Sequence, residues 1–142
     1  MKRKTAWTVV AFVVTVAASL TFWYNKGRQP ARPDPAFYHT AEGVNAVIQE
    51  QRVVLAEALL RKDLQFIHGQ MYYLQGLADA LSGKLEGERK QRVDQKLGEL
   101  KRVAEEIDNF SGRGNAEATD AGLKKLFESF AALNIEFKPE KK

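Results

Sequence analysis

The chain predicts an all-α protein, with a single N-terminal transmembrane helix followed by an antiparallel four-helix bundle. Three observations carry this expectation. Residues 5–25, TAWTVVAFVVTVAASLTFWYN, hold no charged side chain. Beyond residue 40, apolar side chains recur three and four apart, the spacing of one helix face, as in Ile67, Met71, Leu74, Ala78 and Leu81. No run alternates apolar and polar residues over the length of a strand.

Residues 6–24 make a stretch of 19 residues, mostly apolar. At about 1.5 Å of rise per residue a helix of that length is about 28 Å long, close to a hydrocarbon core. A lone span must satisfy its own backbone in lipid, which only a helix does. Trp7 stands at one end and Phe22, Trp23 and Tyr24 at the other, so Trp7, Trp23 and Tyr24 are the expected membrane-interface residues. A cleaved signal peptide is the competing reading. Lys2, Arg3 and Lys4 would form its basic region, and Ala17 and Ser19 the small residues before the cut. Against it, the apolar run continues unbroken past that site, and cleavage would leave LTFWY exposed at the new terminus. Basic residues flank both ends, with Lys26, Arg28 and Arg32 after the span. The denser cluster before it puts the N-terminus in the cytoplasm and the bulk of the chain in the periplasm, on a bacterial inner membrane.

The net charge of +4 belongs to the flanks of the anchor. Six of the 22 basic residues lie at positions 2–32, and the remaining 16 face 18 acidic ones, a net of −2. That balance excludes a basic nucleic-acid surface on the folded part and assigns the flanking cations to lipid head groups. With no cysteine, disulfides and thiol chemistry are excluded.

The expected domain plan is an anchor over 1–25, a Pro-rich linker over 26–39, a four-helix bundle over 40–135 and a charged tail over 136–142. Pro30, Pro33 and Pro35 stiffen the linker into a spacer. A first helix spans 40–60, with Thr40 as N-cap and Val44, Val47, Ile48, Leu55, Ala58 and Leu59 on one side. Asp63 caps a second helix over 64–82, and Gly83 is its expected C′ residue. The third helix covers 88–110 with Val93, Leu97, Leu100, Ala104 and Ile107 inward, and 111–114, SGRG, breaks it. Asn115 caps a fourth, whose face is Leu123, Leu126, Phe127, Phe130 and Leu133. Short links imply antiparallel neighbours. Three helices with a loose fourth is the structural alternative.

Such a bundle invites a cofactor. Over 40–135 the architecture resembles cytochromes of the b562 and c-prime type, and the anchored metal-sensing bundles of bacterial efflux regulation. That resemblance implies a haem or metal ligand. The residues do not carry it further: a c-type haem needs Cys-x-x-Cys-His, and the Glu-x-x-His repeat of di-iron bundles is absent. His39, His68 and Met71 are the candidate ligands, and His68 and Met71 share one helix. Met71 lies on the apolar seam, where methionine fills gaps. No cofactor and no metal are therefore expected. Phosphate loops, nucleophile motifs and HExxH are also missing, and Glu105–Glu106 sits among Lys101 and Arg102 on a solvated face, so no enzyme and no small-molecule substrate are expected. The segment at 62–81, KDLQFIHGQMYYLQGLADAL, is similar to segments of small exported helical proteins of bacteria, which implies an exported bundle and no particular chemistry.

One face of the second helix calls for a different explanation. Opposite its apolar stripe stand Gly69, Tyr72 and Gly76, with His68 and Asp79 at the margins. Each interior glycine costs about 1 kcal/mol against alanine in a helix. Close approach by another chain gives them a use, with Tyr72 as the kind of anchor interfaces favour. In the anchor, Thr8, Ala11, Thr15, Ala18 and Ser19 form a small-residue face of the kind that lets a second helix approach. The expected role is a non-catalytic accessory subunit of a membrane protein complex. The alternative is a periplasmic haem- or metal-binding sensor or carrier. If the anchor is retained, N-terminal sequencing of protein extracted from membranes should not find a mature chain starting near Leu20.

Overall fold

The helices begin where short polar side chains can take up the free N–H groups of a first turn. Thr40 accepts from Gly43 N, Asp63 from Phe66 N, and Asn115 from Ala118 N, each through its side-chain oxygen at 3.0 Å. In the computed structural model, which describes residues 39–139, these caps open three of four helices: α1 (Ala41–Leu60), α2 (Leu64–Ser82) and α4 (Ala116–Ile135), with α3 (Gly87–Gly112) between. The anchor, Trp7, Trp23, Tyr24 and the linker before His39 lie outside the described residues. No helix among the described residues is long and apolar enough to cross a membrane.

Two helices end in a Schellman motif. At the end of α1, Asp63 N donates to Ala58 O and Lys62 N to Leu59 O, with Lys62 left-handed at φ 56. At the end of α3, Asn115 N donates to Phe110 O and Gly114 N to Ser111 O, with Gly114 at φ 72. Gly83, the expected C′ glycine, is instead right-handed at φ −67. The left-handed residue near that link is Gly87, at φ 65, the first residue of α3. The break expected at 111–114 falls two residues late: the helix continues through Gly112, with buried Ser111 Oγ donating to Ile107 O.

The bundle is antiparallel throughout. Lys90, near the start of α3, donates to Ser82 O at the end of α2, while His68, near the start of α2, meets Asp108 near the end of α3. Arg89 reaches both Glu42 at the start of α1 and Glu136 O just past α4. The predicted seams are the core: Val44, Ile48 and Leu55; Ile67, Met71, Leu74 and Leu81; Val93, Leu97, Leu100 and Ile107; Leu123, Leu126, Phe130 and Leu133 are all buried. The fourth helix is therefore not loose. α1 closes onto α4 through polar groups. Buried Asn45 donates to Asn134 Oδ1 at 3.0 Å, and Gln49 Nε2 donates to Asn45 Oδ1 and to Phe130 O.

One glycine sets a helix separation. A Cβ on Gly122 would lie 2.6 Å from Ile107 Cγ1. At Gly98, on the exposed face of α3, a Cβ would meet nothing within 4 Å. Gly122→Ala should therefore cost about 1–3 kcal/mol as an overpacked contact, and Gly98→Ala should stabilise by about 0.5–1 kcal/mol. Denaturant melts of the two variants should move in opposite directions.

Side-chain contacts continue past the end of α4 at Ile135. Lys96 Nζ and Arg92 Nε sit 3.0 and 3.2 Å from the Glu136 carboxylate, and the Arg89 guanidinium lies 4.8 Å from the centroid of the Phe137 ring. The Lys96 and then the Arg92 hydrogen bonds hold the Glu136 carboxyl below the usual glutamate range. A lowered folded pKa contributes stability above the unfolded pKa, and that stability disappears as pH falls through the folded value. Acid titration should destabilise the native protein below the ordinary glutamate range more steeply than Glu136→Gln, with the difference largest at neutral pH.

Candidate partner interface

The outer surface is not uniform. Among the described residues, six large apolar side chains are exposed, and five of them are on α1 and α2: Val53, Leu60, Phe66, Tyr72 and Tyr73. The sixth, Ile135, is on α4. On α3 the outward positions are charged, with Arg102 bridging Glu99 and Glu106 along the helix. The first hairpin thus carries the apolar side of the molecule and α3 a charged one. Single exposed apolar residues need no cause, but their concentration on one hairpin does.

Gly69, Tyr72 and Gly76 share this side. Both glycines are exposed, and a Cβ on either would meet nothing within 4 Å. No packing inside the bundle therefore requires their lack of a side chain, unlike Gly122. Phe66, Gly69, Tyr73, Gly76 and Ala80 follow one another at three-four-three-four spacing and are all exposed. Large and small residues alternate along this second stripe, leaving hollows beside the rings of Phe66 and Tyr73.

His68 and Asp79, placed on the rim from sequence, turn toward α3. His68 Nδ1 is 2.7 Å from Asp108 Oδ1 and 3.3 Å from Asp108 O. Asp108 Oδ1 is buried, and the approach to it is not aligned as a hydrogen bond, whereas that to the carbonyl is. Gly112 makes room for the ring, since a Cβ there would be 3.3 Å from both His68 Cε1 and Nδ1. Asp79 pairs with Lys101. His68 nevertheless acts on the exposed face: its ring meets Tyr72 edge to face, with centroids 5.6 Å apart at 84°. Asp108 holds His68, and His68 backs Tyr72, which keeps 61% of its surface exposed. A side chain supported in this way has less conformational entropy to lose on binding.

The candidate haem or metal ligands are not brought together. His39 precedes the start of α1 and His68 lies in the first turns of α2, at opposite ends of the bundle, while Met71 is fully buried among apolar side chains. Among the described residues no group of three or more His, Cys, Asp or Glu side chains could hold a metal ion. An open groove of about 580 Å³ between α3 and α4 is lined by Gln95, Lys96, Glu99, Lys125 and Glu128 among others. Its two signs of charge alternate, so it favours neither an anion nor a cation. No family model, curated protein or solved structure matches the chain.

The exposed rings of Phe66 and Tyr73 on α2, and Val53 and Leu60 on α1, lie outside the face predicted from the glycines. Their signal was the second three-four series on each helix.

Proposed function

We propose that the protein is a non-catalytic accessory subunit of a bacterial membrane protein complex. In this reading residues 6–24 cross the inner membrane once, with the N-terminus cytoplasmic. The flanking cations meet lipid head groups, and the bundle stands in the periplasm. The bundle presents the α2 face around Gly69, Tyr72 and Gly76 to another subunit. The observation that carries the reading is the pair of exposed glycines whose missing side chains nothing inside the bundle requires. They flank Tyr72, an aromatic anchor braced from behind by His68. A helix or loop from a partner can approach the backbone closely at both glycines and cover Tyr72, burying its ring while its hydroxyl finds a polar group.

The test uses that open space. Gly69→Leu combined with Gly76→Leu places bulk where the fold has room, and leucine is the better helix former. Circular dichroism should show helicity kept or raised, while co-purification of partner subunits from native membranes falls. Full co-purification by a folded double variant would remove the face from consideration.

A further inference from the structure

α1 has a second three-four series besides the one that fills the core; its Ala46, Gln49 and Ala56 are half-buried and its Val53 and Leu60 are exposed. Val44, Ile48, Gln51, Leu55 and Ala58 face the core. On the other side, Ala46, Gln49, Val53, Ala56 and Leu60 follow at three-four-three-four spacing, the a and d positions of a heptad repeat. Val53 is 71% exposed and Leu60 85%. Gln49 lies at the margin, bonded to Asn45 and Phe130 O.

We propose that this stripe is a parallel self-association seam, occupied by α1 of a second copy of the chain. The flanking charges choose the occupant and its direction. With Ala46, Val53 and Leu60 at a and Gln49 and Ala56 at d, Arg52 is a g residue and Glu50 and Glu57 are e residues. In a parallel pair each g residue faces the e residue of the following heptad on the other helix, so Arg52 meets Glu57 of the second copy, twice by symmetry. In an antiparallel pair centred on Val53, Arg52 would face Arg52 and Glu50 would face Glu57, like against like. Arg52 is already held on the flank where it is needed, its guanidinium 5.5 Å from the Phe127 ring centroid of α4. Glu57 holds Arg61 one turn on, and its carboxylate is still accessible at 42%.

The position of α1 in the chain favours the same direction. If residues 6–24 insert in a bilayer, as in the anchor reading proposed above, two copies in one membrane enter their first helices from the same side. A seam of about two heptads is short for an isolated coiled coil. Confinement to a membrane raises the effective concentration of one copy near another, which lets a weak seam close. The α1 seam is a different surface from the α2 face proposed for the partner; it shares the anchor reading with that proposal but not the assignment of the α2 face.

The natural chain has no cysteine, so single thiols can report the geometry. Full-length Ala46→Cys, Leu60→Cys and the exposed α4 control Glu128→Cys are each reconstituted in phosphatidylcholine vesicles and oxidised. A parallel seam predicts disulfide dimers from Ala46→Cys alone and from Leu60→Cys alone, both above the control. Adding Val53→Lys to Leu60→Cys should return crosslinking to the control level, with the helical melt unchanged because Val53 is exposed. Reversal by Arg52→Glu should weaken crosslinking, and Arg52→Glu with Glu57→Arg should restore it. Crosslinks that form only when Ala46→Cys and Leu60→Cys chains are mixed would overturn the parallel seam in favour of an antiparallel one. Crosslinks indifferent to Val53→Lys would overturn it in favour of association elsewhere. A Leu60→Cys thiol that a maleimide cannot label in uncrosslinked chains would show that another segment of the chain covers the stripe, and would also overturn it. Gly69→Leu with Gly76→Leu should leave the crosslink unchanged, which separates failure of this seam from failure of the partner face.

Discussion

Three links of three or four residues decide the arrangement of everything else. Residues 61–63, 83–86 and 113–115 are too short to let the chain pass along the bundle, so each helix must return beside the one before it. That constraint fixes which helix ends share a neighbourhood. It brings His68 to Asp108, Lys90 to Ser82, and Arg89 to both Glu42 and the residue after α4. The tight reversals require unusual backbone at two of the links. Gly114 accepts a left-handed conformation at no steric cost, whereas Lys62 does so against the preference of a residue with a Cβ. The hydrogen bonds of Lys62 N and Asp63 N to Leu59 O and Ala58 O offset that cost locally.

Short links pair neighbours in sequence but leave α1 and α4, the first and last helices, to find each other. Apolar burial alone would tolerate sliding between them, because leucine-like surfaces pack at several registers. The buried Asn45 does not. Its amide must reach Asn134 Oδ1 and its carbonyl oxygen must receive Gln49, and any shift by a turn would leave those groups buried without partners. The closing interface is thus specified by polar groups, while the sequential interfaces are specified by the links and filled by Leu, Ile and Val. Gly122 adds a separate constraint on the α3–α4 distance through Ile107.

Much of this was legible in the residues because it is local. Thr40, Asp63 and Asn115 each precede an apolar series and could be read as caps without knowing what the helix packs on. The core seams of α2 and α3 were legible because their period is unbroken. What failed was whatever depends on a facing helix. The need for a glycine at 122 is not visible in the sequence, because nothing there brings Ile107 to it. His68 and Asp79 looked like a free polar rim, because Asp108 and Lys101 lie on α3 at a register only the fold supplies. Gly83 was read as a left-handed cap from its identity, although glycine also accepts right-handed geometry and here does. Phe66 and Tyr73 flank the apolar stripe of α2, and only the fold shows that both rings stay outside the core.

α1 and α2 are the helices with apolar surface left over. In a four-helix bundle each helix buries roughly one stripe, and the remainder should be polar. α3 follows this rule, with Glu99, Arg102 and Glu106 paired along its outer side. α1 and α2 do not, since each repeats a three-four series on its outer side, Ala46 to Leu60 in one and Phe66 to Ala80 in the other. The two outer series differ in kind. That of α1 is aliphatic at every position but Gln49 and is flanked by Arg52 and Glu57, which suits a like helix in register. That of α2 alternates rings with glycines, which suits a surface that brings side chains into the hollows. A hairpin with two unlike outer series offers two chemically distinct surfaces, and neither is required by the packing of the bundle itself.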